Sequence, residues 1–286
     1  MSLALHSAAL GQAIVVGAKD FTEQLLVAEM TTQLLQASGF GAHKGTGFGT
    51  AGVRALQESG IIDVYWEYTG TSLTTFNQVR EKLSPEEGYE RVKALDAKRG
   101  IVWLAPSEVN NTYALAMRRA DAAARGIQSI SDLSAKLRSG DGMRLASTAE
   151  FITRADGLKP LQQAYGFEFM LGNVVGMDPA AVYSALRRER EFEVGVVFAT
   201  DGRISAFGLT LLQDDKRFFP SYLMTPVVRE VTLDRHPTIK LILEKLSAQL
   251  DTETMAALNA MVDLQSRKPE EVASEFLWAR GLLNRR

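Results

Sequence analysis

Cysteine is absent from all 286 residues. That excludes disulfide frameworks, thiolate metal centres and cysteine nucleophiles. It leaves the compartment open, since a cysteine-free chain suits oxidising and reducing spaces equally. Histidine is scarce: His6, His43 and His236 are the three. No two of them stand at the i, i+4 spacing of a helical metal site, so no metal is expected. An excess of one charge is also missing, because 34 acidic and 32 basic side chains leave a formal charge of −2. Phosphate binding needs clustered surplus Lys and Arg, so a nucleic-acid partner is not expected. No apolar run approaches the ~18–20 residues of a membrane span. The stretch Met1–Ala13 is apolar but has no Lys or Arg, and a secretory signal needs a basic start and a longer apolar core. The chain is therefore read either as cytosolic or as a mature form whose signal has been removed.

What remains is ordinary globular material, with 46 % hydrophobic residues, 23 Gly and 8 Pro. The length suggests about two domains, or one large one, with cores that need no staples. Ala13–Gly17 is a β-branched run ending in Gly and reads as a buried strand. Residues 22–38 have mostly helical spacing and stop at Gly39. A short helix over 51–59 stops at Gly60, and Ile61–Tyr65 reads as the second strand. Ser84-Pro85-Glu86-Glu87 has the capping-box pattern and opens a helix that runs to Gly100. Ile101–Leu104 and Tyr113–Met117 follow as strands. Strand and helix alternate, which predicts α/β layers with a largely parallel sheet. The alternation continues with a helix at 131–139, a strand at 143–147, a helix at 158–165, a strand at 168–172, a helix at 178–189 and a strand at 193–198. Residues 236–281 are nearly all helix, broken at Asp251 and Pro269. No linker and no tandem repeat occurs. The pattern suggests two tight crossovers, near 110–114 and 206–214, which make the middle segment an inserted lobe.

Gly47-Phe48-Gly49-Thr50-Ala51-Gly52 matches the dinucleotide fingerprint, but Phe40–Lys44 before it is weak strand material, so the context fails. It is read as a Gly-rich loop opening the helix at 51–59, with backbone N–H groups that could face a ligand. No G-x-S-x-G elbow is present and no catalytic triad or dyad can be assembled from spacing. More telling are four strand-to-loop junctions that each join an aromatic to small polar residues. These are Tyr65–Thr71, Asn110–Tyr113, Phe198–Arg203 and Phe218–Tyr222. In open α/β sheets ligands gather beyond the C-terminal strand ends. Taken singly, Tyr65, Trp66 and Tyr68 read equally as core packing, and Asp201 as a helix N-cap.

These residues, in this order, resemble the substrate-binding proteins of ABC importers for osmoprotectants, the glycine betaine/choline (quaternary ammonium) family. The resemblance runs from about residue 13 to 284. It is carried by Val16-Gly17-Ala18-Lys19 with Phe21-Thr22-Glu23-Gln24, then by Asp63-Val64-Tyr65 with Glu67-Tyr68-Thr69-Gly70-Thr71. Asn111-Thr112-Tyr113-Ala114-Leu115, Arg154-Ala155-Asp156-Gly157-Leu158, Tyr165-Gly166-Phe167, Thr200-Asp201-Gly202-Arg203 and Pro226-Val227-Val228-Arg229 complete it. The resemblance implies an α/β, two-lobed periplasmic-binding-protein fold of type II, with the ligand in the interlobe cleft and two hinge crossovers. It sets lobe 1 at 13–111 plus 214–286 and lobe 2 at 112–213.

The resemblance also implies a site. A trimethylammonium head has no N–H to donate and a diffuse charge, so aromatic faces suit it. Tyr68, Tyr113, Phe198 and Tyr222 stand where the family has its cage walls; Phe198 takes a place usually held by Tyr. Lys19, Arg154 and the Thr71 hydroxyl would meet a ligand carboxylate, with Arg154 able to do so bidentately. Gln24 and Asn111 stand at polar site positions, Asn111 being neutral where some relatives carry Asp. Against these readings, Lys19 can simply counter Glu23, Arg154 can pair with Asp156 or Glu150, and Tyr222 can be loop packing. The implied function is capture of a quaternary ammonium osmoprotectant, glycine betaine ahead of choline or carnitine. Delivery would be to an ABC permease and its ATPase subunit, by an extracytoplasmic monomer with no cofactor and no catalytic activity. A sensory domain that binds the same ligand, and an enzyme on the same scaffold, are the alternatives.

Overall fold

A computed structural model describes residues 13–154, 156–188 and 191–283. The N-terminal stretch read above for a signal, His6, the end of the helix expected at 178–189 and the last three residues lie outside these. Among the described residues, ten strands form two five-stranded sheets. The first contains β1 (Ile14–Lys19), β2 (Ala42–Phe48), β3 (Val64–Tyr68), β4 (Ile101–Trp103) and β10 (Met224–Arg229), in the order β2-β1-β3-β10-β4. The second contains β5 (Tyr113–Arg118), β6 (Leu145–Ser147), β7 (Val174–Gly176), β8 (Val194–Phe198) and β9 (Leu209–Leu211), in the order β7-β6-β8-β5-β9. The fold is α/β and two-lobed, with one lobe around each sheet.

Both sheets are mixed rather than largely parallel. β1 runs parallel to β2 and β3, but β10 is antiparallel to β3 and β4. Likewise β6 is parallel to β7 and β8, while β5 is antiparallel to β8 and β9. The antiparallel strands β5 and β10 are those the chain enters on crossing from one sheet to the other. Each begins at the end of its sheet where the parallel strands finish. The starts of β5 and β10 therefore share one region with the C-terminal ends of β1, β3, β6, β7 and β8.

Residues 104–112 make the first crossing. The return lies between 212 and 223, later than the expected 206–214, because β9 still belongs to the second sheet. Residues 214 and 215 also stay with that lobe, since Tyr165 donates to Asp214 at 2.5 Å and Ser131 donates to Asp215 at 2.6 Å. The two crossings bond to each other through an antiparallel bridge at Asn110 and Leu223 and through Asn111 N–H to the Tyr222 carbonyl at 3.2 Å.

Most helices fall where spacing put them. Thr22–Ala37 is buried nearly all round, between the first sheet and the C-terminal helices, and Ser84 and Glu87 close the expected capping box of the helix Pro85–Ala97. Asp251 caps Thr252–Asp263 and Pro269 opens Pro269–Ala279. Two strand readings fail. Residues 168–172 are not a strand: Phe167 and Phe169 turn inward as an edge-to-face pair, Leu171 is fully exposed, and Gly172 at φ +85° reverses the chain before β7. Ala42–Phe48 is the edge strand β2; it lies at the margin of the sheet with none of its residues fully buried, so no apolar run marks it.

Candidate binding site

The region where the strand ends converge holds a cavity of about 600 Å³. The C-terminal end of β1 delivers Lys19, with Phe21 two residues on; β3 delivers Tyr68, and Thr71 follows on the next turn. Asn111 and Tyr113 come from the first crossing and the start of β5, Phe198 from the end of β8, and Tyr222 from the return crossing. Thr148, Ala149, Glu150 and Arg154 follow β6, and Met177, Asp178 and Pro179 follow β7. Eight of the nine residues singled out from sequence thus share one cavity wall. The exception, Gln24, is corrected here: it is wholly buried and its Nε2 donates to the Tyr68 hydroxyl at 3.1 Å from behind. It sits one residue past Glu23 in the first helical turn and faces the core.

Five rings frame the apolar part. Tyr113 lies 5.2 Å from Phe198 and meets Tyr222 edge-on at 5.7 Å. Phe198 stacks on Phe21 at 5.5 Å and 12°, and Phe21 stacks in turn toward Tyr68 at 6.3 Å. Because these rings come from both lobes and both crossings, they also join the two cores into one apolar cluster. Gly70 makes the arrangement possible: a Cβ there would stand 2.8 Å from the Tyr222 ring. Phe21 was missed as a wall residue. It sat inside the run quoted for the resemblance, but as the residue before a helix it gave no spacing signal. Trp66 does not reach the cavity; it is buried and its Nε1 donates to Thr31 at 2.9 Å. Asp201 is not the N-cap expected of it: Gly202 holds that position before the helix Arg203–Ala206, and Asp201, one residue earlier, accepts from the Arg203 N–H at 2.9 Å and pairs with the Arg203 side chain.

Behind the rings lies a carboxylate that spacing did not single out. Glu23, 2 % exposed, accepts from the Tyr68 hydroxyl at 2.6 Å and from Asn111 Nδ2 at 2.8 Å. Asn259 also approaches it and donates to the Thr200 carbonyl of the second lobe at 3.1 Å. Burial raises the Glu23 carboxyl above its ordinary value, and these donors offset only part of that. Burial also pushes the Tyr68 hydroxyl well up, with the Glu23 charge adding to it, so Tyr68 stays a neutral donor. Asn111 Oδ1 and Asn259 Oδ1 have no partner among the described residues.

Both cations on the wall are already paired. Lys19 Nζ bonds to the fully buried Glu67, not to Glu23, and also sits 4.8 Å from the Tyr68 ring centroid. Burial lowers the Lys19 ammonium, with Glu67 opposing. Arg154 makes two bonds of 2.8 Å to Asp156 and one of 2.9 Å to Glu150, and lies 5.2 Å from the Tyr113 centroid. Burial works against the Arg154 charge, but Asp156 together with the Tyr113 and Tyr222 hydroxyls raises the guanidinium above its ordinary value. The wall thus carries Lys19 and Arg154 against Asp20, Glu150 and Asp178, with Glu23, Glu67 and Asp156 just behind. Such a balance favours a cationic group, and the rings suit one that is methylated rather than N–H bearing.

The glycine-rich segment also faces this space. A strand does lead into this segment, since β2 runs through Gly47 and Phe48; Gly49 and Thr50, at the start of the helix Thr50–Glu58, line the cavity. No cluster of three metal-binding side chains occurs among the described residues, and none of their helices is long and apolar enough to cross a membrane.

Residues 12–279 match the family described as the substrate binding domain of ABC-type glycine betaine transport systems. A glycine-betaine-binding protein of Pseudomonas aeruginosa is 43 % identical over 288 residues, covering 98 % of this chain and 92 % of that one. A glycine betaine-binding protein of Escherichia coli is 33 % identical over 276 residues, covering 94 % and 90 %. Among solved structures, one described as a glycine betaine/carnitine/choline ABC transporter superposes with a TM-score of 0.77 at 26 % identity, covering 95 % of this chain and all of that one.

Proposed function

From the premise that the chain belongs to the family of substrate-binding domains of ABC-type glycine betaine transport systems, we propose that it captures a quaternary ammonium osmoprotectant between its lobes. Glycine betaine is favoured over choline and carnitine. The observation that carries this reading is the ring of Phe21, Tyr68, Tyr113, Phe198 and Tyr222 around one cavity, backed by the buried Glu23 carboxylate. A trimethylammonium head gains from several ring faces at once, about 0.5–2 kcal/mol each when desolvated. The carboxylate of a betaine would meet Thr71, Lys19 and the donors of Arg154 not taken by Asp156 and Glu150.

In this reading the two bonded crossings act as a hinge, and the ligand favours the closed arrangement by touching both lobes. Residues 13–111 with 220–283 form one lobe and the described residues of 112–219 the other. The closed monomer works outside the cytoplasm, performs no catalysis, and presents its ligand to the permease and ATPase subunits of an importer. Intrinsic tyrosine and tryptophan fluorescence, titrated with glycine betaine and choline, tests the reading. A saturable change is expected, because Tyr68, Tyr113 and Tyr222 lie on the wall. No change with either ligand, in folded protein, would overturn it.

A further inference from the structure

Arg154 is the residue best placed to read a ligand carboxylate, yet its most favourable edge is occupied. Nε and Nη2 both donate to Asp156, at 2.8 Å each, and Nη1 donates to Glu150 at 2.9 Å. Three of the five guanidinium N–H groups are thus engaged by the protein itself. Glu150 accepts from Arg154 and is exposed, with 42 % of its side chain open to solvent. Asp156 is not. It is 7 % exposed, and its Oδ2 also accepts from the Tyr222 hydroxyl at 2.6 Å and from Thr74 Oγ1 at 2.8 Å. Thr74 belongs to the first lobe and Tyr222 to the return crossing, so Asp156 is pinned from outside its own lobe.

We propose that Asp156 sets how strongly the cavity prefers zwitterionic over purely cationic quaternary ammonium ligands, because it takes the Arg154 edge that a ligand carboxylate would otherwise claim. The proposal rests on the reading given above. A fixed carboxylate attracts the trimethylammonium group of betaine and choline alike, but it repels only the ligand that carries a carboxylate of its own. Charge-assisted side-on pairing is the stronger of the contacts open to a guanidinium. A betaine that finds it taken must use the remaining N–H groups, beside a negative charge that cannot leave. Asp156 therefore acts through Arg154, and its signature is a ratio of affinities rather than a general loss of binding.

Asp156→Asn tests this, since the amide oxygen still accepts from Tyr222 and Thr74. Calorimetry with glycine betaine and choline should show the affinity ratio moving toward betaine by about tenfold or more. The shift should vanish when the same change is made in an Arg154→Gln background. Thr74→Val keeps the Asp156 charge but releases one hold on it, and should move the ratio the same way by about threefold. It also serves should Asp156→Asn not fold. A ratio unmoved within about twofold in the folded variant, or moved toward choline, overturns the inference while leaving the proposed function intact. Wild-type protein that binds neither ligand overturns both.

Discussion

Replacing Tyr113 separates ring chemistry from ring volume. Tyr113 is 8 % exposed and touches Phe151 at 4.9 Å, Phe198 at 5.2 Å and Tyr222 at 5.7 Å between centroids. Tyr113→Leu keeps most of the bulk and removes the π face. One desolvated cation–π contact is worth about 1–2 kcal/mol here, which predicts roughly 5- to 30-fold weaker binding of choline or glycine betaine. The lost ring pairs, a fourth being with Phe219 at 6.5 Å, cost the fold about 0.5–1.5 kcal/mol each. That lies within the 5–15 kcal/mol or so of a typical domain, so the variant should remain folded. Tyr113→Phe keeps the face and should stay within about threefold of wild type. Calorimetry with choline and with its neutral carbon isostere, 3,3-dimethylbutan-1-ol, isolates the charge. Wild type should discriminate the pair, and the Leu variant should lose much of that discrimination. If the Leu variant is folded and discriminates as well as wild type, the ring does not see the cation and the cage argument fails.

Three further outcomes follow from the same geometry. Gly70→Ala places a methyl 2.8 Å from the Tyr222 ring and should displace it, costing about 1–3 kcal/mol of stability in urea unfolding together with ligand affinity; unchanged affinity would show that Tyr222 is not a wall. Arg154→Ala strands the Asp156 carboxylate in a buried site and should destabilise by about 3–5 kcal/mol near neutral pH, with betaine affinity falling more than choline affinity. In wild type Asp156 is depressed below its ordinary 3.8 because Arg154 outweighs burial, so its contribution is present above that value and is lost as pH falls through the folded one. The Arg154→Ala penalty should therefore shrink in acid, as unfolding curves over a pH series would show. Glu23 behaves oppositely. Burial raises it above 4.5, so its contribution is full below 4.5 and is lost as pH rises through the folded value. Melting temperatures of Glu23→Gln relative to wild type should improve with rising pH, and parallel curves would mean that Glu23 titrates normally.

The apolar runs and caps that announce buried elements were readable from sequence. Ile14–Lys19, the helix Thr22–Ala37 and the Ser84–Glu87 box all stand where β-branching, helical spacing and cap chemistry placed them. β2 was not readable, because an exposed edge strand with Gly45 and Gly47 has no buried face to mark it. β10 gave no strand reading at all, and the direction of β5 was hidden for a different reason. Strand polarity follows from which lobe the chain is entering, and alternation of elements does not encode it. In the site, aromatic and polar residues at strand ends were legible as a group. Their charge partners were legible only in part. The pairing of Arg154 with Asp156 or Glu150 could be read from sequence and both contacts form, whereas Glu67 looks like any surface carboxylate and only folding shows it buried against Lys19. Glu23 is similar: three donors reach it from positions 68, 111 and 259, a convergence no local pattern contains.

The central claim is that this cavity reads methylated nitrogen. The direct test is calorimetry of the folded wild-type protein with glycine betaine and with N,N-dimethylglycine, which share a carboxylate and a net charge and differ by one methyl on nitrogen. The account predicts saturable binding of glycine betaine at least about tenfold tighter than that of dimethylglycine, since an N–H finds no acceptor among ring faces. Equal affinity for the two, or binding of neither, would contradict it.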